Sequence, residues 1–415
     1  DALFRLGYNE KRSSGWHMHR IVCGCLGLIA FLFAMHPSIY ALRPGRPLTT
    51  YGLHTYSTEN GLPQSAVMAL CQVHNGFIWV GTYEGLARFD GMNFRVFDKS
   101  NVQSMRNNSI KCFREDHMDR LWIGTPNGLL MYSNGHFRLM TTHDGLSGDF
   151  ILSVFQDSRR RIWVGTTDGL NLISDKGAVA VSPGENTGSN YISAISEDGR
   201  GRLWVGTDDG LLVSDNPLSS NWKRVLSHDV RVLYADRDGG VWVGTSGRGL
   251  FYFASASIDS PQPIPQPGGD DVRTLFKDRY GALWVGTNGG GLVRIHNNRV
   301  EVLTSQQGLP GDSVRSIIED HEGSLWVGTR NGLAQLTDDR YTLFNSRNGL
   351  SVDEVRCVLP GTDGDMWIGT VEGGLVHYSG GKFVSFTRRD GLRNERIWSL
   401  AKDFQGGVWI GTYGG

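Results

Sequence analysis

Asp198-Gly199-Arg200-Gly201-Arg202-Leu203-Trp204-Val205-Gly206-Thr207-Asp208-Asp209-Gly210-Leu211 is one of nine versions of the same pattern in a chain of 415 residues. Its tryptophan, followed by Val or Ile, then Gly and Thr, returns at Trp79, Trp122, Trp163, Trp204, Trp242, Trp284, Trp326, Trp367 and Trp409, at intervals of 38 to 43 residues. That period is the length of one propeller blade. Working outward from the tryptophan, a short apolar run precedes an Asp-x-x-Gly turn, a Gly-Leu pair follows, and an aromatic-rich segment often closes the unit. Alternating apolar residues bounded by Gly, Asn and Asp select strands rather than helices. Each unit therefore predicts four: an inner run such as residues 191–195, 230–234 or 314–318, the Trp strand, one starting at Gly-Leu, and a last one such as 93–97, 136–140, 340–344 or 382–386. The expected fold class is all-β, a β-propeller of four-stranded blades.

Repetition also assigns the conspicuous side chains. Asp stands six positions before the tryptophan in seven units (Asp116, Asp157, Asp198, Asp236, Asp278, Asp320 and Asp403). A carboxylate at a turn start accepts hydrogen bonds from nearby backbone amides, and one copied into most blades reads as structural, not as a general acid. Gly three positions before the tryptophan tolerates a positive φ. A tryptophan on a middle strand fills the wedge between blades, and the Gly two residues on permits close backbone approach.

The ends read differently. Lys11, Arg12 and Arg20 precede an uncharged stretch, residues 21–35, with a small residue at Ala41. This is the pattern of a secretory signal peptide or a short membrane anchor over residues 18–41. Met18 is a candidate start, which makes residues 1–17 an upstream artefact. The last residue, Gly415, follows the ninth Trp-Ile-Gly-Thr where a third strand should begin, so a fragment of a longer protein is expected. Basic and acidic side chains nearly cancel, 41 against 42, without an extended basic tract, which gives no reason to expect nucleic acid. Cys71, Cys112 and Cys357 lie in or beside inner strands and are expected to be buried free thiols. No cofactor is implied.

Propellers commonly have four to eight blades, so nine units leave two readings. In the favoured one, residues 50–345 close a seven-bladed ring and residues 346–415 begin a second, truncated propeller. In the other, eight or more blades make one ring. The segment 50–57, with Tyr51 and Tyr56, looks like a fourth strand without a blade of its own. It is suited to completing the last sheet of the ring and covering an exposed edge.

The motif Asp-x-x-Gly-x-Leu-Trp-Val-Gly-Thr followed by Gly-Leu, as in residues 198–211 and 320–333, resembles the two-component regulator propeller repeat of bacterial membrane sensors. So does the lead-in Tyr56-Ser57-Thr58-Glu59-Asn60-Gly61-Leu62-Pro63. The resemblance covers about residues 50–415. It implies tandem seven-bladed propellers in the periplasm, followed by a β-sandwich, a transmembrane helix and a histidine kinase or diguanylate cyclase output, with a homodimer in the full-length protein and membrane attachment through the missing C-terminal segment. This chain departs from the pattern at Val73 and Gly361, which replace the turn Asp, and at Asp119 and Arg160, which replace the turn Gly. Local differences in those turns are expected.

The function expected is an extracytoplasmic ligand-sensing region without turnover of its own, located in the periplasmic part of an inner-membrane protein. The alternatives are a secreted propeller lyase or hydrolase acting on polysaccharide, and a non-catalytic interaction scaffold. No two histidines stand at a recognisable metal spacing, and no catalytic or metal-ligating residue is assigned. Eleven residues before each tryptophan the chain places Met68, Lys111, Leu152, Ser193, Arg231, Arg273, Arg315, Arg356 and Trp398. If that position faces the channel, Lys111, Arg231, Arg273 and Arg315 form a positive arc for a small anionic ligand or oligosaccharide, with Arg356 and Trp398 as the corresponding residues beyond it. The alternative reading pairs these arginines with local carboxylates such as Asp271 or Glu319. A second candidate is the turn between the second and third strands, where Ser246-Gly247-Arg248, Asn288-Gly289-Gly290 and Val371-Glu372-Gly373 are one residue longer than elsewhere.

Overall fold

The computed structural model describes residue 42 and residues 45–182, 188–236, 238–255, 257–338, 344–346, 349–361, 365–380, 382–403 and 407–414. The apolar stretch 21–35 and the cleavage point at Ala41 lie outside the described residues, as does most of the expected strand 340–344. Among the described residues, no helix is long and apolar enough to cross a membrane.

Among the described residues, eight antiparallel sheets have four strands and a ninth has two. Seven of the eight are built from strands consecutive in sequence, as in Ile192–Glu197, Leu203–Thr207, Leu211–Ser214 and Lys223–Leu226. One is not. The sheet of Val314–Glu319, Leu325–Thr329 and Gly332–Thr337 takes its fourth strand from Gly52–Tyr56, paired antiparallel with Gly52 opposite Thr337 and Tyr56 opposite Leu333. The eighth sheet is Val355–Pro360, Met366–Thr370, Leu375–Ser379 and Lys382–Phe386, and the two-stranded one is Ile397–Lys402 with Val408–Thr412.

Sheets pack face to face through the residues that the repeat copies. Trp79, Trp122, Trp163, Trp204, Trp284 and Trp326 are buried. The glycine two places on explains how the neighbouring sheet comes so close. A Cβ on Gly206 would sit 2.5 Å from Val230 Cγ1, the first residue of the next inner strand, and one on Gly286 would sit 2.6 Å from Val314. Gly328 bears the same relation to Val67, at 2.6 Å, so the sheet of Trp326 packs on the sheet of Trp79 as any sheet packs on its successor. Inner strand Val67–Gln72 accordingly lies beside inner strand Val314–Glu319.

The turn aspartate does two jobs. In the fourth repeat, Asp198 Oδ1 accepts the backbone N–H groups of Arg200 and Arg202, while Oδ2 accepts Trp204 Nε1–H at 2.8 Å. The same indole bond joins Trp122 to Asp116, Trp163 to Asp157, Trp242 to Asp236, Trp284 to Asp278 and Trp326 to Asp320. The spacing of six residues thus serves a buried donor that needs a partner.

Two expectations need correction. Asp119 and Arg160, in place of the turn glycine, do not change the turn: they adopt φ of 60° and 64°, the left-handed region that Gly76, Gly201, Gly239, Gly281 and Gly323 occupy. The three thiols are free but partly rather than fully buried, although desolvation still pushes Cys71 and Cys112 up to about 12.

Candidate functional site at the inner-strand bulges

Each inner strand except the second begins with a register shift. It falls between Val230 and Val232, Val272 and Thr274, and Val314 and Ser316, so that Arg231, Arg273 and Arg315 are the extra residues of β-bulges. Met68, Leu152, Ser193, Arg356 and Trp398 occupy the same place in their own strands. Lys111 immediately precedes strand Cys112–Glu115, its N–H donating to Gly124 O at 2.8 Å. A bulge detaches one residue from the ladder and re-aims its side chain. The sequence-predicted positions are therefore a geometric class, set apart from the alternating in-and-out of the strand.

Two of them come within electrostatic reach of each other. The Lys111 ammonium lies over the ring of Tyr83, 4.9 Å from its centroid, and over Phe150 at 5.5 Å. Tyr83 belongs to the preceding repeat and Phe150 to the following one. Burial lowers the Lys111 pKa, and the positive charge of Arg315, from the seventh repeat, lowers it further. The two cations thus feel each other's charge, and among the described residues neither has an ion-pair partner.

Arg231 and Arg273 differ. Arg231 pairs with Asp229 at 2.6 Å and Arg273 with Asp271 at 2.7 Å. The expected local pairing with Asp271 therefore occurs, whereas Glu319 pairs with Arg279, at 2.6 Å, instead of with Arg315. Burial pushes the Asp229 carboxyl up; Arg231 and Arg273 oppose this, and Asp208 and Asp271 reinforce it. Charges from three successive repeats consequently share one field. Arg231 Nε, Arg273 Nε, Arg315 Nε, Asp229 Oδ1 and Asp271 Oδ1 are buried atoms without a hydrogen-bond partner in this structure.

Arg356 and Trp398 come together with each other rather than with the other four: the guanidinium lies 4.0 Å from the ring centroid of Trp398, a cation–π contact. The longer turns join the same edge as the bulges. Ser246 N–H donates to Asp229 O and Asn288 N–H to Asp271 O, while Asn288 Nδ2 reaches Asp271 Oδ2 at 3.0 Å. In these turns the Thr-to-Gly hydrogen bond spans one more residue, Thr245 to Gly249 and Thr287 to Gly291, against Thr207 to Gly210. Two candidate regions that looked separate in sequence are thus one rim. Tyr83, Phe150 and Asp208 were missed, because only the rim's non-periodic side chains reveal them and no spacing signal marks them.

Repeated four-stranded blades with charged side chains at a shared set of bulges define a propeller-type repeat protein. Its repeats belong to the two component regulator propeller family, whose profile matches residues 61–84, 104–127, 145–168, 187–209, 225–247, 266–289, 308–331 and 391–414. The unmatched repeat is that of Trp367, where Gly361 replaces the turn aspartate. Among solved structures, the chain is similar to the extracellular domain of a protein assigned to a hybrid two component system of B. thetaiotaomicron, with 24% identity and a TM-score of 0.74, over 88% of this chain and 52% of that one. This chain therefore spans about half the length of that relative. It is also similar to virginiamycin B lyase from Staphylococcus aureus (14% identity, TM-score 0.56, 69% of this chain and 99% of that one), and to PorZ, a surface component of the type-IX secretion system of Porphyromonas gingivalis (17%, 0.54, 84% and 59%). At these identities the likeness shows the fold. No curated protein sequence matches the chain.

Proposed function

We propose that this chain is the ligand-sensing, extracytoplasmic part of a transmembrane signal transducer, and that the rim at the inner-strand bulges takes a small anionic ligand or an acidic oligosaccharide. In this reading residues 50–345 form a closed seven-bladed ring and residues 346–415 open a second propeller. The strand Gly52–Tyr56 in the sheet of Trp326 and the contact of Gly328 with Val67 support the closure. The family of the repeats and the extracellular, two-component description of the B. thetaiotaomicron relative support the sensing role and a periplasmic location. Kinase or cyclase output, a homodimer and membrane attachment belong to the full-length protein in this reading, and the chain has no turnover of its own.

The observation that carries the ligand class is the Lys111 ammonium, held over two aromatic rings, within reach of the Arg315 charge and, among the described residues, without an ion-pair partner. A carboxylate or phosphate bound there relieves the mutual repulsion and gains bidentate contact with the guanidinium. A sugar ring carrying the anion finds an apolar wall in Tyr83 and Phe150. Calorimetry with inorganic phosphate, citrate and trigalacturonate is the test. At least one should bind the chain, and Lys111→Ala with Arg315→Ala should abolish that binding while melting is unchanged. Binding that survives the double substitution, or no binding by any of the three, overturns the anion site.

A further inference from the structure

The edge of the sheets opposite the bulges carries a second repeated device. At five inner strands the residue that ends the strand reaches back to the turn of the sheet packed before it. Gln72 Oε1 accepts His321 N–H at 2.7 Å, Glu115 Oε2 accepts His74 N–H at 2.9 Å, Gln156 Oε1 accepts His117 N–H at 3.0 Å and Glu197 Oε2 accepts Ser158 N–H at 2.6 Å. Glu319 does the same for Arg279 at 3.0 Å. These are clamps between neighbouring sheets, and three of the donors are histidines.

The three histidine junctions form an internal comparison. Beside His321 stand Gln72 and Gly76; beside His117 stand Gln156 and Arg160; beside His74 stand Glu115 and Asp119. In the last, two carboxylates replace an amide and a glycine or arginine. His74 Nδ1 lies 2.7 Å from Glu115 Oε1 and 3.4 Å from Asp119 Oδ1, and one ligand atom from each residue falls within 4.8 Å of the others. Asp119 is held toward the group by its left-handed backbone, φ 60°.

We propose that His74, Glu115 and Asp119 bind a first-row divalent cation of the zinc type, which staples the turns of the first and second repeats together. Donors about 2.1 Å from a tetrahedral ion stand about 3.4 Å apart. The His74–Asp119 separation already has this value, and the His74–Glu115 hydrogen bond opens by about 0.7 Å when the ion replaces the shared proton. One imidazole with two carboxylates selects zinc, copper, nickel or cobalt over calcium and magnesium, which prefer all-oxygen sites. The three side chains leave a coordination position for water. The site lies at the far end of the inner strand from Lys111, roughly 13 Å away for four residues of extended chain, so it is independent of the anion rim.

Titration of the tag-free chain with Co2+, read by its visible absorption, tests the site. The native chain should show one saturable site that Zn2+ displaces. His74→Gln and Asp119→Asn should lose it, and His117→Gln and His321→Gln should keep it. Asn is well tolerated at positive φ, so the Asp119 variant keeps its turn, which its melting temperature without metal checks. The absence of saturable binding, or binding that survives both His74→Gln and Asp119→Asn, overturns the proposal.

Discussion

At the scale of the residue, one carboxylate position behaves differently in different copies of the repeat, and its neighbours explain why. Burial alone raises the Asp116 carboxyl, but hydrogen bonds from Trp122, from the backbone of Arg120 and Met118 and from the Arg120 side chain outweigh it and hold the group below the ordinary aspartate range. Asp320 is raised: burial dominates, and position 324 offers a serine backbone where position 120 offers a guanidinium at 2.6 Å. The signs follow. Asp116, depressed in the fold, contributes stability above its unfolded pKa of about 3.9 and loses it as pH falls through the lower folded value. Asp320 contributes in the opposite sense, favouring the fold at low pH. Asp116→Asn should therefore cost about 1–3 kcal/mol at pH 7, and the cost should shrink below about pH 4, as denaturant unfolding across that range would show. A cost that stayed constant with pH would count against a charge-based role.

At the scale of the element, the turn before the tryptophan strand keeps one geometry whatever residue fills it. Arg160 holds φ at 64° where seven repeats have glycine, and a left-handed conformation costs a side chain about 1–2 kcal/mol. Arg160→Gly should thus raise the melting temperature; its carbonyl contact with Gln156 Nε2, 3.3 Å, is available to glycine as well. A fall in melting temperature would mean that the guanidinium contributes more than the strain costs. Strand order and blade content were legible in the sequence because Trp-Val-Gly-Thr and Asp-x-x-Gly are local signals at fixed spacing. The bulges were not, since a register shift depends on the partner strand as well as on the sequence at its own position. The arginine positions could be read without them, but their distinct orientation could not. The metal-competent group was illegible for a further reason: its donors come from two repeats, and His74 and Glu115 are 41 positions apart.

At the scale of the whole molecule, the N-terminal segment is tied to the far end of the first array by more than strand pairing. Arg294, almost fully buried, donates to Tyr51 Oη at 3.0 Å and pairs with Glu301, while Arg46 pairs with Asp338. Leu42, Leu48 and Tyr51 enter the same apolar cluster as Trp284 and Leu336. Such a cluster anchors the strand Gly52–Tyr56 through side chains where a lone edge strand would rest on backbone bonds.

The clamps along the opposite edge are not evenly distributed. Among the first seven inner strands the others end in Gln, Glu or Lys, whereas the fifth ends in Ala235, which has no side-chain acceptor to offer the turn at Gly199. The boundary between the fourth and fifth sheets thus lacks this clamp at its turn, although Arg202 Nη2 reaches Ser255 O at 3.5 Å across it. Amide deuterium uptake should be fastest in the turn 198–201 among the corresponding turns, since local opening follows the least supported contacts. Ala235→Glu should slow it there while leaving the other turns as they were. If uptake were uniform among the turns, the sheets would yield together, and a ligand held at the bulges could not bias one boundary over another.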